Sequence, residues 1–111
     1  MNRIGYEERC RTYTNALIAY GDRAQMIVAV EELAECQQAI CKILRGGEDF
    51  RHLAEKIANA TIMLEQVRLM FSINEQVCEF MDRKVQRLDE RLKDNMCAGR
   101  YPGAGNNAER M

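Results

Sequence analysis

Apolar positions along the chain recur at steps of three and four, the period of one face of an α-helix. Tyr6, Cys10, Tyr13, Leu17 and Tyr20 form the first stripe and predict a helix over 3–20. Met26, Val30, Leu33, Gln37, Cys41 and Leu44 predict a second over 23–45. Leu53, Ile57, Ala60, Leu64, Val67 and Phe71 predict a third over 49–71. Met63 and Met70 add another apolar row to that helix, which places it at the centre of the fold. Val77, Met81, Val85, Leu88 and Leu92 predict a fourth helix over 73–94.

The breaks between stripes carry their own signals. Gly21 interrupts the first pair, with Asp22 expected as an N-cap and Gln25 completing a capping box. Gly46-Gly47 ends the second helix through a left-handed backbone. Ser72 and Glu75 are spaced as a capping box for the fourth helix. β-branched residues never cluster in alternation, and Pro102 is the only proline, so no strand is predicted. The expected fold class is all-α: an antiparallel four-helix bundle forming one domain over 1–94. The stretch "CAGRYPGAGNNAERM" has no period and is rich in Gly and Asn, which predicts a flexible tail over 95–111.

Two predicted helices span roughly 30 Å or more at about 1.5 Å per residue. With apolar residues on more than one face, they offer more apolar surface than a lone 111-residue bundle covers. A homodimer or homotetramer is therefore expected.

Composition adds exclusions. A net charge of -1 gives no global basic field for nucleic acid, so no nucleic-acid partner is expected. No apolar run nears the ~20 residues needed to span a bilayer. The opening "MNRIGYEERC" lacks the apolar core of a signal peptide, so the chain reads as cytoplasmic, with no membrane partner. The five cysteines are odd in number and include no CxxC, and the lone His52 lies far from all of them in sequence. Reduced, packed thiols fit better than a disulfide framework or a structural zinc site.

The candidate chemistry lies in "VAVEELAECQQAI", where Glu31, Glu32 and Glu35 sit inside an apolar helical run. Glu32 and Glu35 share one helix face, as do Glu31 and Glu35. Such a carboxylate pair can hold Mg²⁺ through oxygen, although solvated helix faces carry the same spacing routinely. Lys42 lies near a helix C-terminus, which favours cations for its own sake. Lys84, Arg87 and Arg91 are interleaved with Asp82, Asp89 and Glu90, as on a solvated face.

From about Tyr20 to Leu92 the chain resembles the MazG-like, all-α nucleoside triphosphate pyrophosphohydrolases. The resemblance rests on "YGDRAQMIVAVEELAECQQAICKILRG", then "LAEKIANATIMLEQVRLMF", then "KVQRLDERL". In that family an EExxE helix faces a helix carrying ExxD, and the four carboxylates bind Mg²⁺. The metal grips the triphosphate and activates the water that attacks the α-phosphorus, giving a nucleoside monophosphate and pyrophosphate.

The resemblance implies catalytic roles for Glu31, Glu32 and Glu35, with Glu32 and Glu35 as the first metal half-site. The family's EEIAD phrase falls on Glu55-Lys56-Ile57-Ala58-Asn59, so Lys56 and Asn59 replace the second pair of ligands. Glu55 and Asn59 are the oxygen donors left in that phrase as candidate metal ligands, and Lys42, Lys56, Lys84 and Arg87 are the candidate substrate contacts. The implied function is Mg²⁺-dependent nucleotide pyrophosphohydrolysis. The alternative is a non-catalytic nucleotide-binding protein or a purely structural helical oligomer. The Lys56 substitution predicts a salt bridge to Glu32 and Glu35 where relatives hold metal.

Overall fold

The computed structural model describes residues 2–97 and Gly99. Among these residues there are four α-helices and no strand: α1 (Tyr6–Tyr20), α2 (Asp22–Leu44), α3 (Phe50–Met70) and α4 (Asn74–Cys97). No helix among them is long and apolar enough to cross a membrane. Contacts divide the chain into two units, Met1–Asn74 with α1 to α3 and Glu75–Met111 with nearly all of α4.

In the first unit α2 packs most extensively on α3, and α1 packs on both. The register of α2 on α3 is fixed by two pairings, Gln25 with Gln66 and Glu35 with Lys56. As positions advance along α2, their partners move back along α3.

The face that α2 turns inward differs from the one its bulky residues predict. Gln25, Ala29 and Ala39 are its buried residues, and Glu32, Cys36 and Ile43 on the same side are half-buried. The expected stripe lies elsewhere: Val30 is 68% exposed and Leu44 80%. On α3 the buried residues are Ala60, Met63 and Gln66, while Ile57, Leu64 and Phe71 are exposed. The physical reason is steric. Alanines at the contact let the two backbones approach closely, and the larger side chains are left to the outside of the pair. In α1 only Tyr13 of the predicted stripe is buried, and Tyr6 and Tyr20 are exposed.

The turns correct two expected caps. Gly21, with φ 87°, closes α1 by donating its N–H to Leu17 O at 2.9 Å, and it also occupies the N-cap position of α2. Asp22 is the first helical residue, and the Gln25 side chain is buried instead of capping. Ser72 serves the helix before it rather than the one after it. With φ 54°, it follows the C-cap Phe71; its N–H reaches Leu69 O, and the Ile73 N–H reaches Arg68 O. These two bonds form a Schellman closure of α3. Gly46 closes α2 in the same way, as expected, with its N–H on Ile43 O and that of Gly47 on Lys42 O, both at 2.9 Å. The α3 N-terminus is capped by Asp49, whose carboxylate accepts from the His52 N–H at 3.0 Å.

In the second unit α4 has no buried residue. It carries ion pairs one turn apart, Arg83 with Glu79 and Lys93 with Asp89, and the Arg83 guanidinium lies 5.2 Å from the Phe80 ring centre. The helix continues to Cys97, past the Asn95 boundary expected from composition. Ala98 and residues 100–111, most of the predicted tail, lie outside the described residues.

Candidate functional site

The facing surfaces of α2 and α3 bring three of the candidate residues together. Glu32 and Glu35 project from successive turns of α2, and Lys56 lies across from them on α3. The Lys56 Nζ is 3.8 Å from Glu35 Oε1, with the lysine side chain 19% exposed and the glutamate side chain 48%. Of the predicted salt bridge from Lys56 to Glu32 and Glu35, the Glu35 half is thus present, and no Lys56 contact to Glu32 is found among the described residues. Glu32 is half-buried, and its Oε2 is shut off from solvent without a hydrogen-bond partner. A carboxylate oxygen in that state loses hydration with nothing in return, and it is the most unusual polar atom of this surface.

The other candidates are placed less closely. Asn59 is half-buried one turn after Lys56 on α3. Glu31 and Glu55 are exposed, and Lys42 is exposed in the last turn of α2. Lys84 and Arg87 belong to the second unit, where both line a surface depression on α4 with Phe80 and Glu90.

The donor set can be tested against the Mg²⁺ that the resemblance implies. Mg²⁺ needs near-octahedral oxygen coordination and compensating negative charge. Among the described residues, no three His, Cys, Asp or Glu side chains gather into a group able to hold a metal ion. The position facing Glu35 is held by an ammonium, which donates hydrogen bonds and offers no lone pair. As arranged here, the site does not fit a divalent cation.

A second polar cluster was not legible in the sequence. Tyr13 on α1 is 6% exposed and donates its hydroxyl to Glu65 on α3, 52 residues away. Arg9, one turn earlier on α1, pairs with the same carboxylate at 3.4 Å. Burial, reinforced by the hydrogen bond to Glu65, raises the Tyr13 pKa above its ordinary value near 10. Beside this cluster Gln25 Nε2 donates to Gln66 Oε1 at 2.7 Å, and Gln66 Nε2 lies 3.6 Å from Met63 Sδ. An open surface groove between α1 and α3 adjoins the cluster. The one available signal was "MLEQV", where Glu65-Gln66 interrupts an apolar run. Nothing in their spacing named Tyr13 and Gln25 as partners.

Comparison with family models, with curated proteins and with solved structures gives no match to this chain.

Proposed function

We propose that the chain is a MazG-like nucleotide pyrophosphohydrolase relative, built as an antiparallel four-helix bundle, that binds a nucleoside triphosphate without family-level hydrolysis. The observation that carries this reading is the Lys56 ammonium at 3.8 Å from Glu35. It supplies one positive charge at the position where the family's EExxE and ExxD helices share metal. Lys56 is the group able to meet a phosphate oxygen there, while Glu31, Glu32 and Glu35 lack the second acidic pair. The exposed apolar residues Ile27, Val30, Ile40 and Leu44 support a homodimer or homotetramer as the working assembly.

The test is pyrophosphate release with Mg²⁺ or Mn²⁺, together with thermal unfolding in the presence of each nucleoside triphosphate. The expected result is stabilisation by nucleotide, about 2.7 kcal/mol at one hundred times Kd, with no pyrophosphate formed. In a Lys56→Glu, Asn59→Asp double variant, Mg²⁺ binding appears by calorimetry. Metal-dependent pyrophosphate release by the natural chain would establish the enzyme reading instead. No thermal response to any nucleotide would leave the purely structural one.

A further inference from the structure

Along α4, Met81, Val85, Leu88 and Leu92 follow one another at steps of four, three and four, so they lie on one face of the helix. All four are exposed, Val85 at 61%, and α4 has no buried residue. In the seven-residue repeat of a coiled coil, Val85 and Leu92 take the a positions and Met81 and Leu88 the d positions. A β-branched residue at a with leucine at d, as Val85 and Leu88 supply, favours two strands.

Charged residues flank this stripe with one sign on each side. Lys84 and Arg91, at g positions, lie on one side, and Asp82 and Asp89, at e positions, lie on the other. Two copies of α4 laid parallel and in register bring the basic flank of each beside the acidic flank of the other, with Lys84 next to the partner's Asp89. Laid antiparallel, with Val85 over the partner's Leu88, the same helices set Lys84 against the partner's Arg91 and Asp82 against the partner's Asp89. Like charges then face one another, which disfavours that orientation. Asp89 already holds Lys93 at 2.9 Å in an exposed pair one turn on, and its carboxylate has lone pairs for a second donor.

We propose that α4 pairs with α4 of a second copy of this chain, parallel and in register, as a two-stranded coiled coil. The pairing deepens the homodimer of the reading above by naming its interface. It stands in place of a bundle that α4 closes within one chain, and it does not depend on nucleotide binding. Cys78, an exposed free thiol, occupies the a position one repeat before Val85 and faces the partner's Cys78 in this register.

Sedimentation equilibrium of the full chain, with copper-phenanthroline oxidation and peptide mapping, tests the pairing. The expected result is a dimer whose oxidation links Cys78 to Cys78 between chains. Lys84→Glu and Asp89→Lys each raise the dimer Kd, roughly threefold to thirtyfold for two symmetric pairs, and the Lys84→Glu, Asp89→Lys double variant restores it. Antiparallel pairing predicts the opposite for Lys84→Glu, which then attracts the partner's Arg91 and tightens the dimer. A dimer without the Cys78 link, or one that the charge exchange does not restore, overturns the α4 pairing and leaves a homodimer through another face. A monomer overturns both. Calorimetric titration of the natural chain with inorganic tripolyphosphate reads the nucleotide site separately, so either reading can fail without the other.

Discussion

Lys56 on α3 points its ammonium at Glu35 on α2, one turn from a Glu32 oxygen that is closed off from water and unpartnered. The two carboxylates therefore differ. Glu35 is well solvated and loses little if its partner leaves, while Glu32 has already lost hydration at one oxygen.

Lys56→Met tests how much the ion pair matters to the fold. The methionine keeps most of the apolar stem and removes the charge. Because Glu35 is about half exposed, the pair is strongly screened, and the change should alter stability by no more than about 1 kcal/mol in urea unfolding. A loss above about 3 kcal/mol would mean that the pair behaves as a buried one. Binding of tripolyphosphate should be lost in the same variant.

Tyr13→Phe removes the hydroxyl that links α1 to Glu65. Glu65 keeps Arg9 as a partner, so the expected cost is about 1–2 kcal/mol. The pH dependence has a definite sign. The folded state holds the Tyr13 proton above its ordinary pKa near 10, so the stabilisation is complete below pH 10. It is lost as pH rises past that value, because the unfolded chain ionises first. Urea midpoints of the natural chain should fall more steeply than those of Tyr13→Phe above pH 10, and parallel curves would contradict the assignment.

Ser72→Gly should stabilise the chain. Ser72 holds φ 54° at the left-handed position that closes α3, where a side chain costs roughly 1–2 kcal/mol. Glycine removes that strain and gives back roughly 0.5–1 kcal/mol through the freer unfolded chain. A net gain of about 0.5–1 kcal/mol is expected by urea unfolding. Ser72→Val, with its branched Cβ, should move stability the other way.

The helices were legible because their signals are local. Steps of three and four mark each segment, and Gly21 and Gly46 stop α1 and α2 through backbone conformations that glycine adopts freely. Ser72 misled because serine is a common N-cap, while the same residue can close the preceding helix when the turn demands a left-handed backbone.

The candidate site was half legible. Glu32 and Glu35 could be named because periodicity places them on one helix face, Lys56 was named by the family resemblance alone, and the structure brings Glu35 and Lys56 to 3.8 Å. Tyr13 with Glu65 and Gln25 with Gln66 could not be named, because each pair joins residues more than 40 positions apart.

By itself, the sequence determined that this protein is helical and, to within a residue, where α1, α2 and α3 stop. The tertiary structure decided which face of each helix is buried. Large apolar residues alone point to Val30 and Leu44, but close approach of two backbones favours Ala29, Ala39 and Ala60 at the contact. That choice turns Glu32 inward, sets Lys56 opposite Glu35 and opens the space beside Ala16 and Ala58. Such choices depend on how side-chain volumes fit between helices, a property of the pair that neither helix carries alone.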